Sequence, residues 1–460
     1  MPLTQLSVFG LRSFAKRQIV DFAMPNGELG SGLTMIVGPN GSGKTTIIEA
    51  LHYLSRPDVA PPFGDGLLNV SARGRVALEY TDNRGKRAVL GSDPSGGGNV
   101  RWRENELNWP KGHVFVVPSR RSLMERSFQN SESDRGSYAS NLNPGQVRGS
   151  FSQQFGGRLA RMNNNRTQLD AILEQVLGTA PDWSIEPAGD GTHRLRFYAA
   201  NGAHLSDGIA DGIATMLFVA DALYDSDKDS VIAIDEPELS LHPPIQRRLA
   251  RVLADFARDR QIVYCTHSPY FADWEYVLNG AQLVRVSMSR DGTLVKALSA
   301  ESTRAVSRFL KNLGNPHVLG LDARAVFFLD DDVLLVEGQE DVIGYRIIAR
   351  DLGIELNGEF YGWGVGGAGN MPIVSRVLTD LGFARVVGIL DRGQEELAGT
   401  LRSSFPHYTY LISPAQDMKE KLDRKTERTS LLDIGWHLRT EYIESTRSLL
   451  ENANEHLRAT

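Results

Sequence analysis

Residues 38–46 read Gly-Pro-Asn-Gly-Ser-Gly-Lys-Thr-Thr. Glycines, a lysine and hydroxyls at this spacing suit the grip of a nucleotide's phosphates. Gly38, Asn40, Gly41, Ser42 and Gly43 form a loop whose backbone N–H groups can point at phosphate oxygens, and Lys44 supplies a cation for the β and γ phosphates. Thr45 offers a hydroxyl to Mg²⁺, and Thr46 carries the chain into a helix. The signal is specific because an apolar strand, 34–37, precedes the loop and a helical run, 45–54, follows it. Two further apolar runs deliver chemistry at their ends. The run 231–234 ends in Asp235 and Glu236, the first suited to hold Mg²⁺ through water and the second to act as general base on an attacking water. The run 262–265 is followed by Thr266 and His267, a histidine placed to reach the γ-phosphate. ATP and Mg²⁺ are therefore the expected cofactors.

A second set of acids lies farther along. Glu337 ends the buried run 333–336, and Asp391 ends the run 386–390. An acid delivered at the end of a buried strand is a common start for a Mg²⁺ site, since Mg²⁺ takes hard oxygen ligands.

These groups need a scaffold, and the pattern around them supplies one. Residues 1–300 alternate short apolar strands (34–37, 113–117, 231–234, 262–265, 282–286) with helical patterns (45–54, 244–259), which argues an α/β domain with a largely parallel sheet. Residues 119–166 form a polar insertion rich in Ser, Arg, Asn, Gln and Gly, with one or two short helices expected. Residues 301–330 read as a helix and connector, 331–430 as a smaller α/β unit, and 431–460 as a C-terminal helix with one apolar face. The chain has 460 residues, a net charge of −6 and 41% hydrophobic residues. That excludes a global basic footprint for nucleic acid and leaves only local contacts, such as the insertion's arginines. The one cysteine cannot form an internal disulfide, as expected in a reducing cytoplasm. The N-terminus lacks a signal-peptide pattern, and no apolar stretch approaches a membrane span.

The order of motifs resembles a known family. The opening LSVFGLRSF, the loop GPNGSGKTT, then LSDG (205–208), DEPELSLHP (235–243) and THSPYF (266–271) resemble the RecF/SMC-type ABC ATPases. The DEP-E-x-x-LHP form is similar to the OLD-like branch. The resemblance covers 1–300. It implies that Ser206 and Gly208 contact the γ-phosphate of an opposite copy, so that heads close in pairs on two ATP molecules in a dimer or higher homo-oligomer. The insertion is too short for an SMC coiled coil, and the family's Mg²⁺-sensing glutamine has no clear counterpart. The second unit resembles a Toprim domain. That likeness implies a metal set of Glu337, Asp341 and Asp391, with Gly393 standing where the family has a further aspartate. Glu395 or Glu396, with Lys419 or Lys421, are the residues that could compensate.

The fold class expected is thus α/β, an ABC-type P-loop ATPase head followed by a smaller Toprim-like domain. The first functional expectation is an ATP-hydrolysing sensor and scaffold that controls a separate effector protein. It resembles the ATPase subunits of bacterial anti-phage systems of the PARIS and Septu types. The alternative is a self-contained, ATP-regulated, Mg²⁺-dependent OLD-type nuclease acting on nucleic acid. A RecF-like repair ATPase is the third reading, weaker because RecF-like proteins do not need the Toprim-like addition.

Overall fold

The computed structural model describes residues 2–55, 63, 65–93, 99–119, 128–129, 155–164, 166–187, 192–199, 202–205, 211–310, 315–421 and 428–458. The chain divides into two units, Met1–Val295 and Lys296–Thr460. The boundary falls a few residues before the expected 300, and the stretch read as a connector belongs to the second unit.

The first unit is built on a six-stranded sheet. Its order is Gly292–Ala297, Gln282–Ser289, Leu33–Val37, Gln261–Cys265, Val231–Asp235, Val114–Val117. The last five run parallel. Leu33–Val37, Val114–Val117, Val231–Asp235 and Gln261–Cys265 are buried at every residue. That is why they read as continuous apolar runs rather than alternating ones. The register aligns Asp235 with Cys265 and Cys265 with Ile36. Three strands therefore release their chains at one edge, where open α/β sheets bind ligands.

The largely parallel sheet of the sequence reading is present, and antiparallel sheets accompany it. A five-stranded antiparallel sheet, ordered Gln18–Asp21, Leu3–Phe9, Ala77–Asp82, Arg87–Ser92, Val100–Asn105, stands beside it. A smaller antiparallel sheet is built around Thr192–Ala199. Ala77–Asp82 alternates half-exposed and buried residues, the period-two pattern of a sheet wet on one face. Two buried hydrogen bonds tie the antiparallel sheet to the parallel layer. The Gln261 amide donates to the Leu3 carbonyl at 2.7 Å, and the Tyr80 hydroxyl donates to the Ala50 carbonyl at 2.6 Å.

Most of the polar insertion lies outside the described residues. Its described end is the helix Phe155–Asn164. Arg158 of that helix is fully buried and pairs with Asp221 at 2.6 Å and Asp225 at 2.8 Å, at the end of the helix Asp211–Tyr224 and just beyond it.

The second unit has a four-stranded parallel sheet, ordered Glu359–Phe360, Val333–Leu335, Val386–Leu390, Thr409–Ile412. The helices Gln339–Leu352, Met371–Asp380 and Glu395–Ser404 follow its strands. The C-terminal helix spans Ile443–Arg458, shorter than the expected 431–460, because Ser430–Leu432 is a strand paired with Asp417–Lys419. Leu449, Leu450, Ala453 and Leu457 of the helix join a core with Leu334, Val387 and Ile389, so its apolar face is satisfied within its own unit. Gly344 matters here. A Cβ on it would meet the Met418 sulfur at 2.2 Å, so glycine lets the strand carrying Asp417 lie close against the helix carrying Asp341.

Candidate functional site

At the common edge of the parallel strands, one cleft gathers nearly all of the first set of residues. Asn40, Gly41, Ser42, Gly43, Lys44, Thr45, Thr46, Asp235, Glu236 and His267 line it, together with Arg12 and Ser13. Gly38 sits behind the loop, and its carbonyl accepts from Lys44. The loop has its shape because three glycines take left-handed backbone: Gly38 at φ 133°, Gly41 at 73° and Gly43 at 109°. Their burdens differ. A Cβ on Gly38 would lie 2.0 Å from the Val286 carbonyl, whereas one on Gly41 would meet nothing. Gly38→Ala should therefore cost several times the roughly 1–2 kcal/mol of backbone strain expected for Gly41→Ala. Thermal unfolding of the two variants checks this: equal melting temperatures would contradict the close approach.

Lys44 is buried, and its ammonium donates to the carbonyls of Gly38 and Pro39 at 2.8 and 2.7 Å. Burial pushes its pKa below the ordinary value, and Cys265, Asp235, Glu236 and Glu238 act in the opposite direction. Lys44 starts the helix Lys44–Leu54, so phosphate held by this loop would also face a helix N-terminus. Thr45 Oγ1 stands 3.3 Å from Asp235 Oδ1. These are two hard oxygens facing one cleft, a donor set that fits Mg²⁺. Asp235 is buried and Glu236 partly exposed, an acid held inside beside one offered to solvent. Glu236 takes φ 52°, left-handed backbone that few non-glycine residues adopt. Its N–H donates to the Cys265 carbonyl at 2.9 Å. His267 Nε2 lies 3.9 Å from Glu236 Oε1. Burial and then Lys44 push the imidazole below its ordinary pKa, with Glu236 opposing, so the neutral ring is favoured.

Several supporting residues escaped the sequence reading. Arg12 pairs with Glu49 at 2.6 Å beside the loop. The Thr293 hydroxyl donates to the Ser42 carbonyl at 2.9 Å and meets Ser13 Oγ at 2.7 Å, bracing the loop from behind. Glu238 is pushed up to about 7 by burial, and its Oε1 accepts the His267 N–H at 2.6 Å. The only advance signal for Arg12 and Ser13 was their place in LSVFGLRSF. Ser206 and Gly208 lie outside the described residues.

A second cleft, in the second unit, brings together Glu337, Asp341 and Asp391 and adds Asp417, Glu340, His317 and Lys421. Burial, then the charges of Asp341, Glu337 and Asp417, push Asp391 up to about 8, and burial pushes Asp341 up to about 6. The acids are crowded, yet they are already engaged. Glu337 Oε1 accepts the Asp391 N–H at 3.1 Å, and Asp341 Oδ2 accepts the Gly338 N–H at 2.7 Å, capping its own helix. Among the described residues, no three His, Cys, Asp or Glu side chains are grouped so as to hold a metal ion. Gly393 takes φ 103° in open space. Glu395 Oε1 accepts the Gly393 N–H at 3.2 Å, and neither Glu395 nor Glu396 lines the cleft. Of the two lysines, Lys421 lines the cleft and pairs with Glu340 at 2.8 Å, while Lys419 lies over the Trp436 ring.

Comparison with known proteins bears on the first unit above all. Residues 5–143 match the family described as "AAA domain", and residues 188–273 match the one described as "AAA domain, putative AbiEii toxin, Type IV TA system". An OLD nuclease from Thermus scotoductus is 27% identical over 411 residues, covering 75% of this chain and 74% of that protein. The chain is an ATPase that resembles the OLD, RecF and SMC-type proteins. DNA repair protein RAD50 of Saccharomyces cerevisiae is 35% identical to this ATPase over 96 residues, 19% of the chain and 7% of RAD50. DNA replication and repair protein RecF of a Nocardioides species is 31% identical over 117 residues, 25% of the chain and 26% of RecF. Among solved structures, the SMC head domain from Thermotoga maritima covers 65% of the ATPase and 100% of its own chain, at 14% identity and a TM-score of 0.38. An Smc head domain derived from Pyrococcus furiosus covers 67% of the ATPase and 99% of its own chain, at 15% identity and a TM-score of 0.44. No helix among the described residues is long and apolar enough to cross a membrane.

Proposed function

We propose that this ATPase is the sensor and scaffold of a cytoplasmic anti-phage defence system and acts through a separate effector protein. In the first unit, the loop N–H groups and Lys44 grip the β and γ phosphates. Thr45 and Asp235 hold Mg²⁺, which neutralises phosphate charge. Glu236 accepts a proton from the attacking water, and His267 faces the γ-phosphate as a neutral hydrogen-bonding group. Ser206 and Gly208 complete the site of an opposite copy, so the working form is at least a homodimer. ATP turnover then becomes a change of assembly that the effector reads.

One observation carries the choice of a separate effector. In the second, Toprim-like unit, the position that should supply a further metal acid is Gly393, in left-handed backbone with open space around it. Two of the acids that remain, Glu337 and Asp341, each accept from a backbone N–H group. The second reading, a self-contained nuclease acting on nucleic acid, draws on Asp417, which joins the acids of the cleft, and on the OLD nuclease relative. The RecF-like repair reading has only a short match in the head behind it.

Incubating the purified chain with plasmid DNA and with total tRNA, in Mg²⁺ or Mn²⁺, with and without ATP, separates the two readings. The expected result is intact nucleic acid with ATP hydrolysis running. Metal-dependent cutting that disappears in Asp391→Ala would overturn the effector reading in favour of the nuclease.

A further inference from the structure

We infer that Glu238 is a positioning residue of the hydrolytic site, holding His267 at its working distance from Glu236. The inference rests on the reading of Glu236 as general base and of His267 as its neighbour facing the γ-phosphate. Glu238 lies two residues past Glu236, on the turn that follows Asp235. Its Oε1 accepts the His267 backbone N–H at 2.6 Å, and the Thr266 side chain also hydrogen-bonds to this carboxylate. Holding a carboxylate away from water is costly. Such a group stands here without touching the cleft itself, since it is not among the lining residues.

What it does touch is the loop after the neighbouring strand. That loop is tied down at three places. The Thr266 N–H donates to the Ile36 carbonyl at 3.1 Å, which fixes it to the strand before the phosphate loop. Ser268 Oγ donates to Gln246 Oε1 at 2.6 Å, which fixes it to the helix Pro243–Phe256. Between the two, Glu238 anchors the backbone N–H of His267. The imidazole and the Glu236 carboxylate leave neighbouring strands on separate loops, and their 3.9 Å separation is set by how those loops are joined. Glu238 joins them directly: its backbone belongs to the loop of Glu236, and its side chain grips the backbone of His267. Displacement of a reacting group by about 1 Å costs on the order of 100-fold in rate, so a backbone clamp is enough to matter.

The test uses the full chain and steady-state ATP turnover. Glu238→Ala should lower kcat by about 10–100-fold and leave the KM for ATP within about threefold, because phosphate gripping lies elsewhere. Glu238→Gln keeps an oxygen that can accept the His267 N–H, and should restore kcat to within about fivefold of the parent. His267→Ala should lower kcat by itself, and adding Glu238→Ala to it should cost less than about a further twofold, since Glu238 acts through His267. A folded Glu238→Ala with unchanged kcat would overturn the inference, as would losses that multiply in the double variant. A Gln variant as impaired as Ala would overturn it too. An unchanged kcat in His267→Ala alone would instead overturn the reading on which the pair rests.

Discussion

Glu236→Gln should lower ATP turnover by at least about 100-fold while ATP still binds. A positioned general base contributes roughly 10²–10⁴-fold, and glutamine keeps the shape of the side chain but cannot take a proton from water near neutral pH. The geometry argues that the effect will be confined to chemistry. Lys44, Thr45 and the loop glycines lie on another element, and the Gln side chain can retain the φ of 52° because the backbone is held by the Cys265 carbonyl. Lys44→Ala gives the contrasting result, with turnover and ATP affinity falling together, since the cation that meets the phosphates is gone. Turnover by phosphate release, and affinity by a fluorescent ATP analogue, distinguish the two. Undiminished turnover in Glu236→Gln would place the base elsewhere.

Arg158→Ala should be among the most destabilising single changes in the first unit. The Arg158 and Asp221 side chains are 0% and 1% exposed, so removing the arginine takes away a charge that neutralises a carboxylate in the interior. Breaking a buried pair in this way costs roughly 3–5 kcal/mol. For a unit of this size that corresponds to a melting temperature lower by roughly 10 °C. Asp225 is less affected, because its side chain is 21% exposed and Arg161 stands 3.4 Å away. A double change of Arg158→Met with Asp221→Leu should recover most of the loss, since apolar replacement of both partners removes the buried charge. Differential scanning calorimetry of the single and double variants checks this. A single variant as stable as the parent would mean that the pair is not held in the interior as described.

The phosphate loop and its strands were legible in the sequence because each carries its own local signal. A doubly buried strand must be apolar throughout, and the loop's glycines are required by φ values that other residues resist. The antiparallel sheet was less legible because its strands are half wet and their polarity follows burial only loosely: in Ala77–Asp82 a half-exposed position holds Ala77 and a buried one holds Asp82. Glu238 could not be singled out from composition: its partner is a backbone N–H about thirty residues away, brought near only by the pairing of two strands. Asp417 was hidden for a similar reason. It reaches the acidic cleft from a short strand that packs against the helix at Gly344, and nothing near Asp417 in sequence announces that contact. Asp341 lines the cleft, and its helix-capping bond belongs to the local geometry of Gly338.

The strand Leu33–Val37 has no partner of its own era in the sheet. It lies between Gln261–Cys265 and Gln282–Ser289, which are translated roughly 220 residues later. At about 5–20 residues per second, the ribosome needs roughly 10–45 s to supply them. Throughout that wait, Leu-Thr-Met-Ile-Val is a bare apolar segment with unpaired backbone on both sides, the kind of surface that chaperones cover and that aggregates when they do not. Assembly of the nucleotide cleft is therefore a late and non-local event, and nascent chains stalled before residue 261 should be unable to retain ATP however much of the loop they carry.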